Sequence, residues 1–366
     1  MNEPERATPL KRGWTTGACA AGSARAAFEA LLIRQFPDPI PVALPKGVRP
    51  EFALATHELG PDFARAGIVK DAGDDPDVTH GALVVATVRF APSGAGVIFK
   101  AGEGVGTVTR PGLPLPVGEP AINPAPRAMI HANLEEVAAR LGARADVVVE
   151  ISVPGGERMA ERTANGRLGI LGGLSILGTT GIVIPYSCSA WIHSIQRGVD
   201  VARASGCNHI GAATGETSEG AIKQLYGLPD HALIEMGDFV GGLLKYLRQH
   251  PLPRLTIAGG PAKMTKLAEG KMDLHSKRGG VDLEALSARV ADAGGAPSLV
   301  GAIATANSAL HAFELARAMG FDLPALIVEG AWAMAARVLA GVPCDLETIV
   351  VGRDGRVLAS SGFGRV

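Results

Sequence analysis

Aromatic residues are scarce in this 366-residue chain, only 4% of the total: ten Phe, three Tyr and three Trp. Surfaces that stack nucleic-acid bases need aromatic platforms, and a nucleic-acid footprint needs clustered basic excess. Here 35 Lys and Arg face 36 Asp and Glu, a formal net charge of −1, so no nucleic-acid partner is expected. Cysteine is equally sparse. Cys19, Cys188, Cys207 and Cys344 lie far apart and form no C-x-x-C pair, which argues against a disulfide framework or a zinc site and fits a reducing cytoplasm. The opening MNEPERATPLKRG is polar and lacks the apolar core of a secretory signal, so a cytoplasmic location is the expectation.

What the chain does have is a hydrophobic content of 47% and 48 glycines. Its length predicts two domains of about 100–200 residues each. Six of the glycines fall in 163–185, TANGRLGILGGLSILGTTGIVIP, which carries no charge after Arg167. Glycine lets backbone approach a ligand or another backbone closely. Three readings compete: a domain junction lining a cleft, a membrane span, or a core strand-turn-strand. The span is set aside, because glycine costs about 1 kcal/mol against alanine in a helix and no aromatic belt or basic flank follows.

The N-terminal half reads as α+β. Residues 1–12 are expected to form a loose arm. Thr15 or Thr16 caps an Ala-rich helix over 18–34, whose start is either an anion-binding helix N-terminus or a capped core helix. Cys19 reads as a small buried residue rather than a nucleophile. Five strand-like segments follow over 40–110. Among them KDAGDDPDVTHG concentrates Asp71, Asp74, Asp75, Asp77 and His80, which is either an acid/base site or an Asp-rich turn; no metal is expected there, since the EF-hand spacing fails. A Gly/Pro-dense loop carrying Arg110 and Arg127 leads to a helix from Pro124 to about Leu141 and a strand over 146–154. Each arginine is either a bidentate carboxylate ligand or an ordinary solvated cation.

From Asn208 apolar strands alternate with helices, the pattern of a parallel doubly wound sheet. Strands are expected in HIGAATG, ALIEMG, RLTIAGG, ALIVEG and TIVV, and helices over 187–204, 218–226, 239–250, 262–269, 283–293 and 301–319. Two Gly-rich strand ends, Gly211-Ala-Ala-Thr214-Gly215 and Gly259-Gly260-Pro261, lead into helices. Neither is a full G-x-G-x-x-G or a Walker A loop. They point to an adenosine-bearing or anionic ligand at the carboxyl ends of the strands. Glu216 and Glu235 are either ribose ligands or surface acids. Lys263, Lys266, His275, Ser276 and Lys277 form a polar basic segment, either a solvated face or a polycarboxylate contact. The expected division is 1–165, a Gly-rich junction 166–186, and 187–366.

Several segments together resemble one family. RGWTTGACAAGSARAA, KDAGDDPDVTHG, GEGVGTVTRPGLPLPVGEPAINPAPRAMI, TANGRLGILGGLSILGTTGIVIP and GGPAKMTKLAEGKMDLHS are similar to the CbiD family, the cobalt-precorrin-5B C1-methyltransferases of anaerobic cobalamin biosynthesis. Two departures stand out: Ala18 where the family has TTGTCA, and Tyr186-Ser187 where it has MS after the proline. The resemblance implies methyl transfer from S-adenosylmethionine to C1 of a cobalt-corrinoid, giving cobalt-precorrin-6A, with cobalt present only as part of the substrate. It also implies an N-terminal domain like the second domain of ribosomal protein S5 and a Rossmann-like C-terminal domain. On that footing the polar groups near the reacting face are Asp71, Asp75 and His275. The donor's adenosine end is assigned to Gly211, Thr214, Gly215, Gly259, Gly260 and Glu235. The ring and its carboxylate arms are assigned to Arg110, Arg127, Arg167, Gly172, Gly173, Thr179, Thr180, Lys263 and Lys266. No metal site, nucleic acid or membrane is implied, and a homo-oligomer stays open. The competing functions are a GHMP-like small-molecule kinase using GGLSILGTTG as a phosphate loop, an NAD(P)-dependent tetrapyrrole reductase, and a non-enzymatic corrinoid carrier.

Overall fold

The computed structural model describes residues 9–276 and 279–366; most of the expected N-terminal arm, and Lys277 of the basic segment, lie outside the described residues. The chain divides into two compact units, Met1–Ser187 and Cys188–Val366.

The first unit opens with β1 (Gly13–Trp14) and α1 (Thr16–Ile33). Short strands β2 (Ile40–Pro41), β3 (Glu51–Phe52) and β4 (Thr56–Leu59) lead to β5 (Phe63–Val69), β6 (Leu83–Phe90), β7 (Val97–Ala101) and β8 (Thr107–Val108). Then come α2 (Pro124–Leu141), β9 (Val147–Ser152), α3 (Gly156–Ala160), β10 (Ile170–Leu171) and β11 (Ile182–Val183). The main sheet has the order β4-β5-β6-β9-β7 and is antiparallel except for the β7–β9 pair. Period-two alternation buries Val147, Val149 and Ile151 of β9, and α1 and α2 share one core with that face.

Helix α1 starts where the Thr15 hydroxyl accepts from Ala18 N at 3.1 Å. It is buried over residues 16–31, so its small side chains are a packing requirement. At Gly22 a Cβ would lie 2.7 Å from Ile68 Cδ1. Its two buried charges are both paired to α2, Arg25 with Glu136 at 3.0 Å and Glu29 with Arg140. The Gly-rich stretch is woven into this unit: β11 pairs with β1, β10 with β8, and Leu174 and Ile176 bridge to Val105 and Ile122.

The second unit runs α4 (Cys188–Ala204), β12 (His209–Ala213), α5 (Glu216–Tyr226), β13 (Leu233–Glu235), α6 (Val240–Leu247), β14 (Arg254–Gly259) and α7 (Pro261–Ala268). Four further helices follow, α8 (Leu283–Asp292), α9 (Pro297–Ala304), α10 (Ala309–Ala318) and α11 (Leu323–Leu339), before β15 (Asp345–Val351), β16 (Val357–Ser360) and β17 (Gly364–Arg365). The sheet order is β13-β12-β14-β15-β16, with β17 also on β15; the first four strands are parallel and the last two antiparallel. Alternate residues of each strand enter different cores. Ala212, Ile257 and Val350 pack into the large core of the other helices, whereas Ala213, Ala258 and Val351 pack under α5. Helices therefore cover both faces. A buried carboxylate, Glu347, ties three strands together by accepting from Tyr226 Oη (2.6 Å), Thr256 Oγ1 (2.8 Å) and Ser360 Oγ (2.6 Å).

Two expectations are corrected here. ALIVEG is no strand but lies inside α11. Ile327, Val328, Ala331, Ala335 and Leu339 are its buried stripe, and Asp322 caps it by accepting from Ala325 N. A short apolar run does not distinguish a strand from a buried helix by periodicity. The helix expected over 301–319 is two helices, because Ser308 turns out of the helical path and caps α10 through His311 N. No helix among the described residues is long and apolar enough to cross a membrane.

The Glu136 carboxyl is held well below its ordinary 4.5, at about 2, chiefly by the hydrogen bonds from Arg49, with burial opposing and Arg25 adding. A value depressed on folding stabilises fully above the unfolded value and loses that stabilisation as pH falls toward the folded one. E136Q is expected to melt below wild type at pH 7, with the gap closing between 4.5 and about 2; thermal melts across that range check it, and a gap independent of pH would assign the loss to packing.

Candidate functional site

In the second unit β12 and β14 each pass directly into a helix, through Thr214-Gly215 into α5 and through Gly260 into α7. The first amides of a helix have no intrahelical acceptor. Neither N-cap residue, Gly215 or Gly260, makes a side-chain cap, and the place a Cβ would take at each is open space. Taken in chain order the parallel strands lie 2-1-3-4 across the sheet, so the order reverses between β12 and β14, where open α/β sheets bind ligands. A cleft of about 340 Å³ lies at these strand ends, floored by Thr214, Gly215, Gly260 and Lys263 and bounded by Thr217, Ser218, Leu310 and the Val351–Arg353 end of β15.

The cleft's charges differ in how far they are committed. Lys263 Nζ donates to the Thr214 carbonyl at 2.8 Å and lies 3.2 Å from Asp238 Oδ1. Arg353 and Glu216 are both exposed, and neither has a hydrogen bond or ion pair among the described residues. Asp354, beside Arg353, is occupied with Arg356 at 3.5 Å.

Of the residues assigned to the donor, Thr214, Gly215 and Gly260 line this cleft together with Lys263. Gly211 and Gly259 do not. Gly211 sits within β12, where a Cβ would lie 2.5 Å from Ile222 Cγ2, and Gly259 is packed against Thr214 and Met264; both are required by packing. Glu235 ends β13 with its side chain exposed, and its carbonyl accepts from Trp191 Nε1 at 3.3 Å. Lys266 is 6% exposed and donates to the Leu274 carbonyl at 3.0 Å, so it is a buried brace rather than a substrate contact. His275 donates its backbone N–H to Asp273 Oδ1 at 3.1 Å. Sequence reasoning missed Thr217, Ser218 and Arg353. The first two follow a named Gly loop, and the third follows a strand whose Gly-Arg-Asp-Gly turn is legible.

In the first unit the Asp-rich segment is a clasp. Asp71 accepts from Lys11 Nζ (2.6 Å) and Gly73 N (2.8 Å), and Asp74 from Lys11 N (2.6 Å). Asp75 accepts from Tyr186 N at 2.8 Å. Asp77 pairs with Lys70, which is 1% exposed. The Lys11 hydrogen bond, then the Gly73 amide, hold Asp71 below the ordinary carboxylate range. Burial raises Asp77, but the Lys70 ammonium and the bonds from Lys70 and Thr79 outweigh it and leave it lowered. Asp71 therefore latches the chain instead of serving as a neutral-pH acid or base. Cys19 is fully buried and pushed up to about 12 by that burial, which removes it as a nucleophile. The start of α1 is no anion site: Gly17 N donates to the Leu177 carbonyl at 3.0 Å and Ala18 N to Thr15.

The Gly-rich stretch mostly meets its own protein. A Cβ at Gly173 would lie 2.3 Å from the Gly104 backbone, and one at Gly178 would lie 2.3 Å from Thr15. Gly173 is thus a backbone packing site and not part of a ligand wall. Gly166 and Gly172 face open space. Thr180 closes a turn with Ile182 at 3.3 Å, and Thr179 is exposed. Arg127 donates to Ile122 O, Glu119 and Pro120 O and lies over Phe99, so three of its five N–H donors are engaged within the protein. Arg110 lays its stem against Gly169, and its guanidinium has no hydrogen bond or ion pair among the described residues. Arg167 is half-buried in the turn before β10. No group of three His, Cys, Asp or Glu among the described residues could hold a metal ion.

A mixed α/β chain with a small-molecule cleft at parallel strand ends is the class these features define. Residues 3–185 match the family model described as CbiD, and residues 273–362 match that of the CbiD C-terminal domain. A relative from Agrobacterium fabrum, "Cobalt-precorrin-5B C(1)-methyltransferase", is 61% identical over 94% of this chain and 91% of its own. Relatives of the same name from Bradyrhizobium sp. (59%; 96% and 93% covered) and Rhodospirillum rubrum (58%; 99% and 100%) are similar throughout. A crystal structure of the cobalamin biosynthesis protein (cbiD) from Archaeoglobus fulgidus is 26% identical, covers 85% of each chain and has a TM-score of 0.39. The chain belongs to the CbiD family.

Filling a close backbone contact costs about 1–3 kcal/mol. G173A is therefore expected to lower stability to denaturant by about that much, whereas G166A, which meets nothing, leaves it unchanged. Equal stability of the two variants would refute the packing role of Gly173.

Proposed function

We propose that this chain is a cobalt-precorrin-5B C1-methyltransferase that uses S-adenosylmethionine and releases cobalt-precorrin-6A and S-adenosylhomocysteine in anaerobic cobalamin biosynthesis, in the cytoplasm. The observation that carries this is the shared name of relatives 56–61% identical over 94–99% of the chain. On this reading the first unit is an α+β domain like the second domain of ribosomal protein S5. The second is Rossmann-like, a reading its 2-1-3-4 strand order supports.

The cleft in the second unit fits the donor's demands. Its volume lies at the lower end of small-molecule pockets, about 300–1,000 Å³, and two helix starts without side-chain caps border it beside glycines with open space. When bound, S-adenosylmethionine supplies a methyl group made electrophilic by a positively charged sulfur. Thr214, Gly215 and Gly260 hold the adenosine end, and Lys263 fixes the loop by bridging the Thr214 carbonyl to Asp238. For the corrinoid's acetate and propionate arms Arg110 is an uncommitted cation of the first unit, beside a stretch whose Gly166 and Gly172 leave room for a flat ring. Thr179 is a further polar contact on the same unit. An electron-rich ring needs little base, so the protein's main work is alignment of the reacting atoms and exclusion of water. The kinase alternative loses support from the Gly-rich loop itself. Its Leu174, Ile176 and Leu177 amides donate to Gly104 O, Ala121 O and Thr16 Oγ1 and are unavailable to a phosphate.

Incubation with labelled S-adenosylmethionine and cobalt-precorrin-5B is expected to place the label on the ring. A folded protein that leaves authentic substrate unlabelled would sink the assignment. Asp75 is the acid of the clasp we place near the reacting face. In D75N the amide oxygen still accepts from Tyr186 N, so the melting temperature is expected to stay while turnover drops about tenfold or more. Unchanged turnover would leave Asp75 a purely structural residue.

A further inference from the structure

We propose that the cleft of the second unit reads the α-amino-acid end of the methyl donor as a zwitterion, Arg353 taking the carboxylate and Glu216 the ammonium. This rests on the donor assignment above and deepens it. The two charges stand on different walls of one cleft, Glu216 at the first position of α5 and Arg353 in the turn between β15 and β16. Those walls adjoin: a Cβ at Gly355 in that turn would lie 4.0 Å from Thr217 Cγ2 of α5.

Commitment separates these residues from the cleft's other charges. Lys263 already faces Asp238 at 3.2 Å and the Thr214 carbonyl at 2.8 Å, so its charge is balanced within the protein. Asp354, next to Arg353 but outside the cleft's lining, is balanced by Arg356. Arg353 and Glu216 are left without partners among the described residues, one of each sign. Adenosine is neutral and gives an arginine no anion to bind. The methionine portion carries one carboxylate and one ammonium on the same carbon, the complement of this pair. A planar guanidinium binds a carboxylate through two parallel N–H donors, which an ammonium at the same place cannot reproduce.

Calorimetry with two probes tests the assignment. S-adenosylhomocysteine carries the amino-acid end, and 5′-methylthioadenosine keeps the adenosine and thioether but lacks it. R353Q is expected to weaken S-adenosylhomocysteine by about 10–100-fold and to leave 5′-methylthioadenosine within about twofold of wild type, since the lost contact is to a charged group absent from that probe. R353K recovers part of the loss. E216Q is expected to show the same selectivity. Thermal melts confirm that these exposed substitutions leave the fold intact. R353Q with unchanged S-adenosylhomocysteine affinity, or with equal losses on both probes, overturns the role of Arg353. An equal loss on both probes for E216Q overturns the ammonium role and moves Glu216 to the ribose. Wild-type protein that binds neither probe overturns the donor site itself, and the zwitterion assignment with it.

Discussion

Helix α1 has no free face, and most of the first unit follows from that. A helix buried over residues 16–31 can carry only small side chains where other elements cross it, and any charge it carries must be met inside. Arg25 and Glu29 find their partners on α2. Its N-terminal amides must also be satisfied by protein, since water cannot reach them. The Gly-rich stretch does this: Leu177 gives its carbonyl to Gly17 N, and Gly178 lets the chain pass Thr15 at a distance no Cβ would permit. The Asp-rich segment then fixes both ends of the arrangement, with Asp71 O accepting from Trp14 N and Asp75 from Tyr186 N. Its acidic density is the cost of holding three chain segments at once.

The second unit solves the same problem of helix ends in the opposite way. Helices α5 and α7 begin at strand ends, but among the described residues no carbonyl or capping side chain closes on them. Helix starts whose donors are satisfied within the fold in the first unit border a cleft in the second. The contrast supports the proposed donor site more firmly than glycine content does, because glycine serves both purposes. At Gly173 its missing side chain is filled by backbone, and at Gly215 and Gly260 the same absence is open space.

Local features were legible in the sequence. The α1 cap, the strand series over 40–110 and the strand-helix rhythm after residue 208 follow from spacing and composition, and so did the two Gly-rich loops that reach the cleft. What was illegible depends on partners distant in the chain. Nothing near Arg127 distinguishes it from Arg110, yet one gives three of its five N–H donors to Glu119 and two carbonyls while the other gives none among the described residues. Lys263 and Lys266 stand three residues apart on one helix, and burial alone sends the second to Leu274. Gly173 could be separated from Gly172 only by knowing that Gly104 lies against it. The segment 325–330 was misread because its buried residues are apolar whether read as strand or helix; the capping Asp322 and the stripe running on to Leu339 decide it.

The carboxylates sharpen what chemistry the chain can offer. Asp71 and Asp77 are held as anions by their cationic partners, so neither carries a proton to give at neutral pH. Cys19 is held as a thiol by burial. The groups most conspicuous in the sequence are thus the least suited to proton transfer or covalent catalysis. A reaction between an electron-rich ring and an already activated methyl group needs neither. It needs a rigid frame, an uncovered cleft and cations not yet spent. Carboxylates locked into ion pairs supply the first, and the uncapped starts of α5 and α7 the second. The third falls to Arg110 and Arg353, two arginines whose guanidinium groups have no hydrogen bond or ion pair among the described residues.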